Sequence, residues 1–193
     1  MIYRILHDDH YLTFEIPTRE VLNKLGRANP FHIDRTPKPY ASLWHEPLNI
    51  LFRPPEKDSQ NIVPNLAEVD GKLFLDETAY GVLKDILKGD VECLPVRYEG
   101  GTGYILNILA IAEDMDGLDE KLTGYDQHGN LGNFGFVSEI MGIVPLFRAA
   151  IDGYQGIFCS EKVANLVVEN GLKGVIFRKD LANPIGESFD ERH

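Results

Sequence analysis

The chain has 193 residues, 44% of them hydrophobic, which suffices for one well-formed core in one domain or at most two. Thirty acidic residues against 19 basic ones give a net charge of −11, a surface that repels nucleic acid and anionic membrane, because binding phosphates requires a cationic face that releases counterions. No stretch approaches the roughly 20 apolar residues that span a bilayer, and Met1 to Asp9 turns to charge too early for a signal peptide, so the expected location is the cytoplasm.

The first 65 residues are interrupted by Pro17, Pro30, Pro37, Pro39, Pro47, Pro54 and Pro55, with Pro64 close behind, which excludes long regular elements. His7-Asp8-Asp9-His10 offers imidazoles and carboxylates, but no further ligand motif completes a metal site, and a solvent-exposed turn is the expectation. Tyr11 to Ile16 alternates as a strand, Thr18 is placed to cap a short helix over 19–25, and Leu48 to Phe52 is a further strand. Trp44, in a proline-flanked loop, is expected in the core. This segment reads as a loop-rich layer laid against the rest.

From 66 to 179 the pattern becomes regular, and one unit occurs twice. Leu73-Phe74-Leu75 runs into the helix-capping residue Asp76 and then Glu77, whose charge favours a helix N-terminus. Ala79, Leu83, Ile86 and Leu87 give that helix one apolar face, and a strand follows Gly89 at 91–98. Ile157-Phe158-Cys159 likewise runs into Ser160 and Glu161, with Val163, Leu166 and Val167 on the helix, Gly171 at its end and a strand at 174–177. Two copies are too few for a solenoid and read as two halves of one packed domain.

Between the units, the glycines at 100, 101 and 103 join two strand-like runs as a β-hairpin rather than a phosphate loop, since no helix follows them. Glu113, Asp114, Asp116, Asp119 and Glu120 form the densest charge run; the spacing fails for a calcium loop. Asn130 to Phe136 reads as an exposed loop that returns apolar residues to the core, and 180–193 as a polar tail. Cys93 and Cys159 sit in apolar runs, where a free thiol behaves as a small buried hydrophobe. The expected fold is therefore α+β, a single domain with two strand-helix-strand units, a central β-hairpin and a loop-rich N-terminal layer.

The residues of the two units also carry a resemblance. Leu73 to Val96 followed by Gly103 to Ala112, together with Gly156 to Phe177, resemble the pattern of bacterial polymorphic-toxin immunity proteins in immunity-protein family eleven, with Leu106-Asn107-Ile108-Leu109 and Asn170-Gly171-Leu172 as the matching motifs. The resemblance covers about 66–179 and omits the N-terminal third. It implies a non-enzymatic cytoplasmic antidote, without cofactor or metal, that binds and neutralises a cognate toxin. Carboxylates of the run Glu113, Asp114, Asp116, Asp119 and Glu120, with Tyr125 and His128 beside them, are then the expected contact surface for a basic partner. The competing expectation is an enzyme that reverses the toxin's modification or acts on a small molecule, at a pocket assembled from distant histidines and carboxylates. A scaffolding protein with several partners is a third.

Overall fold

The computed structural model describes residues 1–55, 60–125, 127 and 131–179. In chain order its elements are β1 (Ile2–His7), β2 (Thr13–Glu15), α1 (Thr18–Lys24), β3 (Leu48–Asn49), β4 (Leu51–Arg53), β5 (Leu66–Val69), β6 (Lys72–Asp76), α2 (Glu77–Leu83), β7 (Val91–Tyr98), β8 (Gly101–Ile108), β9 (Leu118–Tyr125), β10 (Leu131–Phe136), α3 (Ser138–Met141), β11 (Leu146–Phe147), β12 (Ile157–Ser160), α4 (Glu161–Glu169) and β13 (Val175–Arg178). The fold is α+β.

The two units share one plan. β6 and β7 lie on either side of β8, antiparallel to it, within a five-stranded sheet of order β3-β7-β8-β6-β5. β12 and β13 lie on either side of β1, again antiparallel, in a four-stranded sheet of order β11-β12-β1-β13. A helical crossover returns the second strand of each unit parallel to the first and leaves a gap one strand wide. In the first unit β8 fills that gap directly, through a two-residue turn at Glu99-Gly100 in which Gly100 takes φ +96°. In the second the filler is β1, from the very start of the chain. The sequence pattern assigns no strand there, because Arg4 and His7 interrupt its apolar residues. Only Ile2 and Ile5 of β1 are fully buried.

β6 is covered on both faces, which explains its unbroken apolar run. Leu73 and Leu75 join Leu83, Leu106, Ile5, Ile157, Val163 and Val167 in a core shared by the two units, with α2 and α4 in contact above it. Phe74 points the other way, into a second cluster with Phe14, Val21, Phe31, Trp44, Leu94 and Ile105. The proline-rich segment is therefore a true layer on the far face of the larger sheet. Trp44 belongs to its core: the indole N–H donates to the Pro95 carbonyl at 2.8 Å, and the ring meets Phe31 edge-on at 5.1 Å.

Several local expectations change. The strand expected at Leu73-Phe74-Leu75 is β6, and it is preceded by a strand not singled out in the sequence, β5, through a tight hairpin turned at Asp70-Gly71 with both φ angles positive. The segment expected to be an exposed loop at 130–136 forms strand β10 over 131–136, paired with β9, because Phe136 is drawn into a third cluster with Met141, Phe147 and Phe158. Asp76 caps α2 as expected, accepting from the Ala79 amide at 2.7 Å. Thr18 and Ser160 do not cap: Pro17 occupies the N-cap position of α1, and Ser160, at the N-cap of α4, makes no side-chain capping bond. Both thiols are free; Cys159 is fully buried in the shared core, which pushes its pKa up, whereas Cys93 is only half-buried. Among the described residues, no helix is long and apolar enough to cross a membrane.

Candidate functional site

The acidic segment divides into two kinds of carboxylate. Glu113 opens a single 3-10 turn at Glu113–Met115, and its two oxygens accept hydrogen bonds from the Ala150 and Ile151 amides, both at 2.9 Å. Asp119 accepts from the Lys121 and Leu122 amides at 2.9 and 3.3 Å. These two groups hold backbone in place. Asp114, Asp116 and Glu120 are exposed instead, and form no ion pair among the described residues. Asp116 closes the 3-10 turn in the left-handed region, at φ +54°.

β9 carries on from this acidic base. It pairs with β10 alone, in a two-stranded sheet whose register shifts twice. Leu122 and Tyr125 stand out from it at 53% and 65% exposure. Leu122 is held across the hairpin by Gly135, where a Cβ would meet the leucine side chain at 2.7 Å. At about 3.3 Å per residue, Tyr125 lies roughly 20 Å along the strand from Asp119, so the tyrosine and the carboxylates are not one cluster. His128 lies outside the described residues.

A second group of side chains, to which the sequence reading assigns no role, gathers where the Asp70-Gly71 turn meets the segment 148–156. Gly71 takes φ +73°, and any side chain there would strike the Tyr154 carbonyl and the Arg148 guanidinium. Arg148, 3% exposed, donates to that carbonyl at 2.7 Å. Burial lowers its pKa to about 10, so it stays charged at neutral pH. Glu68 accepts from the Gly71 amide at 2.9 Å, yet its burial pushes the carboxyl up to about 7.

Lys72, on the same turn, is 5% exposed. Its ammonium donates to the Asp34 carbonyl at 3.2 Å and lies 5.3 Å from the centre of the Phe31 ring. Burial, reinforced by Arg148, brings it down to about 8. No carboxylate lies within ion-pair distance of it among the described residues, because the acidic groups around it are already engaged. Asp70 pairs with Arg35 at 2.8 Å, Asp34 with Lys38 at 2.6 Å and Glu15 with Arg53 at 2.7 Å. Lys72 borders a cavity of about 150 Å³ lined also by Phe14, Glu15, Ile16, His32, Val69 and Asp70. His32 contributes a buried Nδ1 without a hydrogen-bond partner, and its pKa is lowered first by burial and then by Lys72.

His7 to His10 form a turn in which Asp8 accepts from the His10 ring and amide. Among the described residues no three histidine, cysteine or acidic side chains are placed to share a metal ion. No protein-family model matches the chain, and no curated protein does.

Proposed function

We propose that this chain is an immunity protein, a non-enzymatic inhibitor that binds a basic bacterial toxin and blocks it by direct contact. The observation that carries the reading is the run of exposed carboxylates at Asp114, Asp116 and Glu120, without ion pairs among the described residues, followed along strand β9 by the exposed Leu122 and Tyr125. Charge on a rim accelerates encounter with an oppositely charged partner, while buried apolar anchors slow release. The net charge of −11 acts in the same direction at longer range. The resemblance of the two units to immunity-protein family eleven supports the same reading, and it rests on the residues quoted for it.

The test begins with affinity capture from the native bacterium, followed by purification of the retained protein and a toxicity assay with and without this chain. The inhibitor reading requires one basic partner whose toxicity this chain suppresses. Asp114→Lys with Glu120→Lys should then slow association at low salt by about tenfold or more, the difference shrinking as salt screens it. Leu122→Ala and Tyr125→Ala should speed dissociation instead. A suppressed toxin with unchanged association and dissociation rates in all three variants removes this segment from the interface. A captured partner whose activity is unaffected defeats the reading itself.

A further inference from the structure

We propose that the cavity beside Lys72 is a binding site for a small carboxylate carried on a compact apolar body, with the ligand's oxyanion on the Lys72 ammonium and the His32 ring and its body against Phe14, Ile16 and Val69. The proposal is independent of the toxin reading, since it concerns a different part of the molecule, the cavity beside the buried Lys72.

Charge balance is the first ground. A buried ammonium normally has a carboxylate partner, because its desolvation is otherwise uncompensated. Here Glu15 and Asp70, the two acidic groups lining the cavity, are each held by an arginine of their own, Arg53 and Arg35. Lys72 uses one N–H on a backbone carbonyl and has two left without a protein acceptor among the described residues. Arg148 adds a second buried positive charge close by, and burial raises the pKa of the neighbouring Glu68 carboxyl to about 7.

Shape is the second ground. A cavity of about 150 Å³ has the size that accepts benzene when it is lined by apolar groups. This one has a mixed lining: Phe14, Ile16 and Val69 are apolar, Lys72 and His32 are polar, and the carboxylates of Glu15 and Asp70 are each paired with an arginine. That mixture suits an amphipathic anion better than a bare inorganic one. The His32 ring lines the same cavity, and a neutral imidazole carries one N–H that can donate. The Asp70-Gly71 turn is closely backed by the Tyr154 carbonyl and the Arg148 guanidinium, which leave no room for a Cβ at Gly71.

The probes are benzoate, its neutral counterpart benzyl alcohol and inorganic phosphate, titrated separately into the 15N-labelled full chain and followed by amide chemical shifts. The expected result is a saturable benzoate response, half-complete on the order of 1 mM, centred on the Ile16 and Val69 to Lys72 amides. Benzyl alcohol and phosphate should each bind at least tenfold more weakly. Lys72→Met should weaken benzoate at least tenfold, and Val69→Phe, which fills the cavity and leaves the lysine in place, should abolish the response. No saturable benzoate shift overturns the proposal, as does equal binding of benzyl alcohol or phosphate. Unchanged benzoate affinity in Val69→Phe, or in a folded Lys72→Met, overturns it as well.

Discussion

Replacing Lys72 by methionine should stabilise the protein at neutral pH, against the usual outcome of core substitutions. The ammonium is held charged at pH 7 although its surroundings bring its pKa from 10.5 to about 8. At about 1.36 kcal/mol per unit this is a penalty of about 3 kcal/mol for keeping the charge buried. Methionine keeps an unbranched apolar stem against Phe31 and removes that penalty, but it leaves the Asp34 carbonyl without its donor, which costs about 1–2 kcal/mol. The net expectation is a gain of about 1–2 kcal/mol, or roughly 2–8 °C in Tm for a chain of this size. The sign of the pH dependence follows from the depressed pKa. Between about 8 and 10.5 the folded state binds fewer protons at Lys72 than the unfolded state does, so this group's stabilising contribution is present above 10.5 and lost as pH falls through about 8. Urea unfolding of both proteins at pH 7 and pH 10 measures this. Tyr40, Tyr98 and Tyr104, whose pKa values are raised by burial, titrate equally in both proteins and cancel in the difference. A methionine variant less stable than wild type by more than 1 kcal/mol at pH 7, or a stability gap that does not shrink at pH 10, would refute the reasoning.

Glu113→Ala should cost about 1–2 kcal/mol, because it leaves the Ala150 and Ile151 amides without their acceptor, and amide exchange at those two positions should accelerate; Asp114→Ala beside it should stay within about 0.5 kcal/mol. Gly71→Ala combines a positive φ with a collision against the Tyr154 carbonyl and should cost more than 2 kcal/mol, whereas Gly100→Ala, with a positive φ and open space around it, should cost about 1 kcal/mol by the same urea measurement.

The repeated strand-helix-strand unit was legible because each copy carries its own local code: an apolar run, a capping position with an acidic residue after it, an apolar helix face and a closing glycine. The central hairpin was legible for the same reason, since Gly100 serves a turn that depends on adjacent residues alone. Strand β1 was not, because it has no helix of its own and is a strand only by virtue of the slot between β12 and β13. Strand β10 was missed because its glycines and asparagines signal a loop, and what overrides them is the burial of Phe136 against Phe147 and Phe158.

The candidate sites divide along the same line. Composition and order along the chain were enough to mark out the acidic run, and chain order alone cannot say which way a carboxylate faces; the fold turns Glu113 onto the distant Ala150 and Ile151 amides, Asp119 accepts from the amides just after it, and Asp114, Asp116 and Glu120 are left to solvent. Lys72 reads in sequence as an ordinary polar residue after a turn. It becomes a buried, carboxylate-free cation only because Phe31, His32 and Asp34 of the N-terminal layer, Asp70 of its own turn and Arg148 close around it from separate parts of the chain. Local propensity set the two repeated units and the central hairpin, whereas strands β1 and β10 and the desolvation of charge, which depend on distant neighbours, were decided by the tertiary structure.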